Sequence, residues 1–430
     1  MELSIVIPSL NEETNIAELV PRLREIIPQI CSQYEIIVVD GGSVDGASTM
    51  ARELGVKVLT KENDGYGGVL KEGLCAAQGD YILTMDADLS HDPGFIPLMW
   101  RERKQAEVVI ASRYVDGGSA DMPWGRRLLS VILNKIFGFV LSLPVKDISS
   151  GFRLYRAPSL RPTLLEAVDF DVLPEILVRC LAEGWRIAEI PFSYRRRKGG
   201  RSHARLLEFG LSYLKTLVRI WRARNSIFSA DYDERAYDSR LLPQRYWQRR
   251  KHDIVTELAE GSQRSLDVGC GSSRILDGLP NPIGLDITMN KLRYIRARGK
   301  PVIQASIYAL PFQDGSFDCV VCSEVIEHLP ADYRPFYEMS RVLKRGGRLI
   351  IGTPDYAKLT WRIIEQLYRI LVPAGYADEH ITHYTRESLV RLLEGCGFAF
   401  QKARFILNCD MFLSFTKVKE KMAIWQRTLQ

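Results

Sequence analysis

The chain has 430 residues, 46% hydrophobic and 26% charged. That length implies two or three cores, and the composition excludes disordered, collagen-like and disulfide-scaffold classes. With 58 Lys and Arg against 52 Asp and Glu, the net charge is +6, which permits contact with phosphates or an anionic membrane surface without demanding nucleic acid.

Short β-branched runs alternate with helical periodicity from the start of the chain. Leu3–Ile7 reads as a strand, too short and too soon followed by Pro8 to be a secretory signal. Ile16, Leu19, Val20, Leu23, Ile27 and Ile30 then mark one helix face. Strands follow at Glu35–Val39, Val56–Leu59, Tyr81–Met85 and Val108–Ala111, with helices over Asp45–Leu54 and Val69–Ala77. Several strands lack polar alternation, as strands buried on both faces do. This predicts an α/β domain with a mainly parallel sheet.

The longest apolar stretch, Leu128–Val145, is broken by Asn134, Lys135 and Pro144. It falls short of the roughly 20 apolar residues a spanning helix needs. Trp124, Leu128, Leu129, Ile132, Ile136, Phe137 and Phe139 recur at helical spacing, with Arg126 and Arg127 at the start. Leu206, Leu207, Leu211, Leu214, Leu217, Val218 and Trp221 do likewise, beside Lys215, Arg219, Arg222 and Arg224. Each segment fits a core helix or a basic amphipathic helix in the headgroup layer.

Trp221 to Arg250 lacks a buried strand, and the seam falls near Ser229–Asp231. It divides the chain into domains over residues 1–229 and 230–430. The pattern then restarts with strands at Ser265–Val268, Ile283–Asp286, Val302–Ile303, Phe317–Cys322 and Arg348–Ile351. Lys291–Arg298 and Arg334–Leu343 are intervening helices. Both domains are therefore α/β. The eight cysteines form no disulfide framework, and Cys319 and Cys322, three apart on one strand, face opposite sides of a sheet.

In open α/β sheets ligands gather outside the carboxyl ends of the strands. Asp40 stands at one such end and Asp86-Ala87-Asp88 at another. Two carboxylates one residue apart suit a hard divalent cation, Mg2+ or Mn2+, held against a diphosphate. Alone, the pair fits a solvated loop as well. Its context is Ile7-Pro8-Ser9-Leu10-Asn11-Glu12-Glu13, Val39-Asp40-Gly41-Gly42-Ser43, Met85-Asp86-Ala87-Asp88-Leu89-Ser90-His91-Asp92-Pro93, Ala111-Ser112-Arg113-Tyr114 and Ser149-Ser150-Gly151-Phe152-Arg153, in that order.

This ordered set resembles the family 2 glycosyltransferases with the GT-A fold, and within them the dolichol-phosphate mannosyltransferase group, over about residues 1–224. The resemblance implies sugar transfer, commonly mannose from GDP-mannose, to a polyprenyl phosphate at the cytoplasmic membrane face. Pro8, Leu10, Glu12 and Asp40 would frame the nucleotide. Asp86, Ala87 and Asp88 would carry metal and diphosphate, and Arg113 would touch phosphate. Arg197 and His203 fall in the matching Arg197-Lys198-Gly199-Gly200-Arg201-Ser202-His203, where His203 replaces the family's lysine. Arg113, Arg153 and Arg197 suit the work of offsetting phosphate repulsion; Asp88, Arg113 and Arg197 are the expected catalytic residues.

In the second domain Ser265-Leu266-Asp267-Val268-Gly269-Cys270-Gly271 is a strand ending in a glycine turn, and Asp286 ends the next strand with a carboxylate able to accept ribose hydroxyls. This spacing suits a dinucleotide too, although Arg274 stands where a third glycine would. Downstream, Ala309-Leu310-Pro311-Phe312, Gly315-Ser316-Phe317-Asp318, Glu324-Val325-Ile326-Glu327-His328-Leu329 and Arg341-Val342-Leu343-Lys344-Arg345-Gly346-Gly347 look like the class I S-adenosylmethionine-dependent methyltransferases, over about residues 231–430. The resemblance implies a seven-stranded sheet with S-adenosyl-L-methionine over Asp267, Gly269, Gly271 and Asp286. Glu324 and Ser306 are further cofactor-pocket candidates, Ser306 replacing an acidic residue common near the adenine. His328, His380 and His383 are candidate bases or structural histidines. The His380 and His383 pair lacks further ligands for zinc.

The expected function is a bifunctional enzyme that is cytoplasmic and peripheral on the membrane. It would transfer a hexose to a polyprenyl phosphate and methylate a related glycan or lipid. The alternatives are a soluble or glycan acceptor for the first domain, and a non-catalytic binding scaffold for the second.

Overall fold

The computed structural model describes residues 1–61, 65–195, 206–371 and 380–418, without the side chains of 206–214 and 368–371. The chain forms two compact units, Met1–Asn225 and Ser226–Gln430.

The first unit contains β1 (Leu3–Ser9), β2 (Tyr34–Asp40), β3 (Lys57–Thr60), β4 (Tyr81–Thr84), β5 (Val108–Ser112), β6 (Ser119–Ala120), β7 (Arg153–Arg156), β8 (Ile187–Pro191) and β9 (Ser193–Tyr194). Seven make one sheet, ordered β3-β2-β1-β4-β7-β5-β8, and β6 pairs with β9. Strand β1 is buried at every position. Its Leu3, Ile5 and Ile7 pack with Ile16, Leu19 and Leu23 of helix Glu13–Ile26, while Val6 faces Val69, Leu70 and Leu74 of helix Gly65–Ala76. The sheet is less parallel than its sequence pattern suggests, because β7 runs antiparallel to both β4 and β5. Four residues with arginine at both ends carry too little apolar signal to read as a buried strand.

The second unit contains β10 (Ser265–Val268), β11 (Pro282–Asp286), β12 (Val302–Gln304), β13 (Phe317–Ser323), β14 (Leu343–Pro354), β15 (Phe398–Ile406) and β16 (Asp410–Lys417). They form the expected seven-stranded sheet, ordered β12-β11-β10-β13-β14-β16-β15. Periodicity alone misses its closing β15–β16 hairpin, whose β16 pairs antiparallel with β14. Cys319 packs with Val321 and Ile350 on one face; Cys322 packs with Val320 and Leu349 on the other. Helices Tyr232–Tyr237 and Leu242–Ala259 precede the sheet.

Candidate functional sites

In the first sheet the chain winds outward from β1 to β3, then crosses to β4 on the other side of β1. The carboxyl ends of β1 and β4 therefore flank a topological switch point, the crevice where open α/β sheets bind ligands. Pro8 and Ser9 are buried at the end of β1, while Leu10 is exposed and Glu12 partly so. Glu12 accepts a bond from the Asn15 amide. Asn11 takes a left-handed φ of 58°. Its N–H donates to Ser43 Oγ at 2.8 Å and its side-chain oxygen accepts the Val44 N–H at 2.9 Å, which pins the β1 loop to the β2 loop. Asp40 lies opposite Ser9 in register. Burial alone would raise its carboxyl, but donors from Ser43 and Ser48 outweigh that and hold it below the usual range.

Asp86 and Asp88 sit on the loop leaving β4, the first partly exposed and the second buried. Asp88 Oδ1 accepts both the N–H and the hydroxyl of Ser90. The Tyr66 hydroxyl donates to Asp86 Oδ1 at 3.3 Å, and its ring stacks on Phe170 at 4.3 Å. Burial, then the Asp86 charge, pushes the Tyr66 phenol well above its ordinary range. The Asp86 N–H donates to His91 Nδ1 at 3.0 Å. Nδ1 is thus an acceptor, so the neutral ring carries its proton on Nε2, 3.7 Å from Asp86 Oδ2. Phe152 stacks on the imidazole at 5.1 Å and Phe192 meets it edge-on. Gly151 closes the same loop: a Cβ there would lie 3.0 Å from the Tyr66 hydroxyl and 3.3 Å from Asp86 Oδ1. His91, Tyr66 and Gly151 have no assigned role in the sequence pattern. Only the placement of His91 and Gly151 inside matched motifs hints at one.

Arg113 is largely committed to its own domain. Its Nε and Nη2 reach Asp147 at 2.8 and 2.7 Å, and Nη2 also donates to Ser149 at 2.8 Å. Burial opposes its charge, but Asp147 more than restores it. Arg153 corrects the sequence reading more sharply. It is fully buried, donating to the Leu173 and Ile148 carbonyls at 2.8 and 2.6 Å. It therefore holds the core together and is not placed to meet an acceptor phosphate. Arg197, His203, Lys198 and Arg201 lie outside the described residues.

Helix Trp124–Val140 buries Asn134 and Phe137. Asn134 accepts the Ile148 N–H at 2.7 Å and donates to Ser149 at 3.2 Å, tying the helix to the Arg113 network. Trp124, Leu128, Leu129, Ile132, Ile136 and Phe139 are exposed, so this apolar face is not core. In helix Leu206–Arg224, Val218 and Trp221 are exposed while Thr216, Ile220 and Arg224 are buried. Arg224 is no surface cation: its Nε donates to the Leu141 carbonyl at 3.1 Å. Among the described residues no helix is long and apolar enough to cross a membrane.

The second sheet switches direction between β10 and β13. Gly269 there has φ +72°, and a Cβ would fall 2.3 Å from Val325, so only glycine allows the turn to seat against the β13 loop. Asp286 Oδ2 accepts the Gly271 N–H at 2.8 Å and Oδ1 the Thr288 N–H at 2.8 Å. Asp267 is buried, with no partner for Oδ2 among the described residues. Burial, helped by the Asp286 charge, pushes its carboxyl up to about 7. Glu324 adopts φ 56° at the end of β13 and accepts Lys251 Nζ at 2.6 Å. Ser306 is partly buried and caps its own turn, its hydroxyl accepting the Tyr308 N–H. Asp233, from helix Tyr232–Tyr237, accepts the Ser272 N–H and hydroxyl at 3.1 Å and pairs with Lys291 at 3.2 Å. Arg274 instead pairs with Glu234 and Asp238. Asp233 braces the glycine turn and Lys251 holds Glu324, both from a segment that carries no motif, so the sequence pattern passes over them.

Residues 4–163 match the glycosyl transferase family 2 and residues 266–351 match a methyltransferase domain. A dolichol-phosphate mannosyltransferase of Pyrococcus furiosus is 32% identical over 53% of this chain and 66% of its own length. An uncharacterized glycosyltransferase of Mycobacterium bovis is 31% identical over 46% of this chain and 88% of its own. Among solved structures, the first unit is similar to glucosyl-3-phosphoglycerate synthase from Mycobacterium tuberculosis in complex with Mn2+ and uridine diphosphate. That match has a TM-score of 0.40 and 23% identity, over 51% of this chain and 79% of that one. The second resembles a SAM-dependent methyltransferase from Thermotoga maritima, with a TM-score of 0.37 and 22% identity over 43% of this chain and 93% of that one.

Proposed function

The chain belongs to glycosyl transferase family 2 through its first unit and carries a methyltransferase domain in its second, and from that premise we propose a bifunctional transferase. The first unit moves a hexose, with mannose from GDP-mannose the favoured donor, onto a polyprenyl phosphate. The second methylates a glycan or lipid-linked acceptor with S-adenosyl-L-methionine.

One observation carries the first half: the Pro8–Glu12, Asp40 and Asp86–Asp88 loops converge at the β1/β4 switch point. Asp86 and Asp88 supply hard oxygen donors on one loop braced by Ser90, Tyr66 and His91, a set that fits Mg2+ or Mn2+. Such an ion offsets charge on the departing nucleoside diphosphate. Leu10, Glu12 and Asp40 frame the nucleotide, and Arg113, oriented by Asp147, favours phosphate nearby. Arg197 and His203 join this reading on their motif alone. The donor's anomeric carbon exchanges its bond to the diphosphate for one to an acceptor phosphate oxygen. A phosphate monoester is already largely dianionic near neutrality, its second pKa being about 6, so no general base is needed.

The name of the Pyrococcus relative supports a polyprenyl acceptor. So does the exposed apolar face of helix Trp124–Val140 beside exposed Arg126 and Arg127, which suits peripheral docking at the cytoplasmic membrane face. In the second unit Gly269, Gly271 and Asp286 form a close-approach turn with a ribose acceptor. Asp267, Ser306 and Glu324 are assigned to the same cofactor site on their motif positions. The orphaned Asp267 oxygen suits a polar ligand there.

The deciding experiment incubates purified chain with several nucleotide sugars and a short polyprenyl phosphate and weighs the products. A mass gain of one hexose on the lipid supports the proposal. Glycosylation of water-soluble acceptors alone would replace it.

A further inference from the structure

Strand β13 ends at Ser323, and the chain turns through Glu324 and Val325 into a short 3-10 turn, Ile326–His328. More than fifty residues later the chain returns to this turn and is fastened to it. The N–H groups of Ile381 and Thr382 both donate to the Glu327 carbonyl, at 2.8 and 2.9 Å. The Thr382 hydroxyl donates to the Leu329 carbonyl at 2.6 Å. This fastening brings His380 to His328, ring centroids 4.9 Å apart. Ligand-type atoms of Glu327, His328 and His380 all lie within 4.8 Å of one another.

Two further features point to a bound cation rather than to a cluster of ordinary hydrogen bonds. Glu327 is 1% exposed. Its Oε2 takes the Thr353 hydroxyl at 3.0 Å, but Oε1 has no partner among the described residues. A buried carboxylate oxygen without a donor is costly unless something positive meets it. His380 is also oriented as a metal ligand would be. Tyr356 donates its one proton to Glu365 at 2.9 Å, so its oxygen accepts from His380 Nδ1–H at 2.7 Å. That tautomer leaves Nε2 with its lone pair, the arrangement an outer carboxylate relay imposes on ligating histidines.

We propose that Glu327, His328 and His380 hold a divalent transition-metal ion beside the methyl-donor pocket. Two imidazoles and one carboxylate favour Mn2+, Fe2+, Co2+ or Zn2+ over Ca2+. Val325, which packs on Gly269 of the cofactor turn, stands two residues before the first ligand. The ion would therefore bind an acceptor hydroxyl close to the methyl group, which rests on the methyltransferase reading above. The acceptor oxygen bonds to the methyl carbon as the carbon–sulfur bond breaks. The sulfonium becomes a neutral thioether, and the hydroxyl proton passes to water. His383, which stacks on Tyr356 at 4.0 Å, supports this shell from outside.

The test uses the full chain carrying Asp86→Asn and Asp88→Asn, stripped of metal and titrated with Co2+. Visible bands of histidine-ligated Co2+ are expected to saturate at one equivalent, and Glu327→Gln and His380→Ala each to weaken uptake at least roughly tenfold. S-adenosylmethionine binding, titrated separately, should stay unchanged. If His380→Ala fails to fold, the parent chain's own spectrum together with His328→Gln decides. Absence of Co2+ bands in a folded chain that binds S-adenosylmethionine overturns the site, as does uptake that survives these substitutions. Intact metal uptake without any cofactor binding would instead remove the methyltransferase reading alone.

Discussion

Asp88 is a place where charge and shape can be separated by one atom. Asp88→Asn keeps an acceptor for the Ser90 bonds while removing one negative charge from the proposed cation site. Glycosyl transfer is expected to fall roughly a hundredfold or more, the scale seen when one preorganised electrostatic group is lost, with thermal unfolding nearly unchanged. Full activity in this variant, or in excess chelator, would discard the metal assignment. Asp233 makes a different residue-scale prediction, on pH. Burial alone would raise its carboxyl, but Lys291 and then Lys251 outweigh that and hold it down at about 2, against an ordinary 3.8. A folded-state value below the unfolded one adds stability that is complete above the unfolded value and disappears as pH falls through the folded one. The window is therefore between about pH 4 and pH 2, and the contribution is on the order of 2 kcal/mol. Acid unfolding curves of the chain and of Asp233→Asn should diverge at neutral pH and converge below about pH 2.

At the scale of one element, helix Trp124–Val140 is held inward by few buried side chains and shows the rest of its apolar residues to solvent. Ile132 and Ile136 are 44% and 45% exposed, so changing both to Ser should leave the fold intact. If the face enters a bilayer, each isoleucine adds about 1 kcal/mol of insertion energy, half the value for full burial. The double variant should then bind anionic vesicles roughly thirtyfold more weakly and lose lipid-acceptor turnover, with nucleotide-sugar affinity near normal. The remaining binding should weaken with salt, because Arg126 and Arg127 contribute about 1 kcal/mol each near an anionic surface. Co-sedimentation measures both effects. A parent chain that ignores vesicles would remove the docking proposal.

At the scale of the whole molecule, each unit has its own sheet and its own buried clusters. A cut between Asn225 and Ser226 should accordingly yield two pieces that unfold cooperatively. The piece from Ser226 should bind S-adenosylmethionine by calorimetry. Asp286→Ala in that piece should weaken binding about tenfold, through loss of the ribose acceptor and of the Gly271 bond. A folded piece that binds no cofactor would take the active methyltransferase out of the proposal.

The parallel strands were legible because runs such as Ile36–Val39 and Val320–Cys322 are buried on both faces, and burial on both faces leaves an uninterrupted apolar signature. The glycine turn at Gly269 was legible because a backbone that must pass within van der Waals distance of Val325 permits only one residue type. Strand β7 was not, since Arg153 is buried by bonds to the Ile148 and Leu173 carbonyls, and strand periodicity does not record a side chain's backbone partners. The apolar face of helix Trp124–Val140 was ambiguous for the same reason. Periodicity tells which residues share a face, and only packing tells what that face meets. The Glu327, His328 and His380 cluster shows this limit most plainly. Its third member, His380, lies more than fifty residues from the adjacent Glu327 and His328 in the sequence, which supplies their chemistry. Their distance is set by backbone bonds between two loops, which only the folded chain makes.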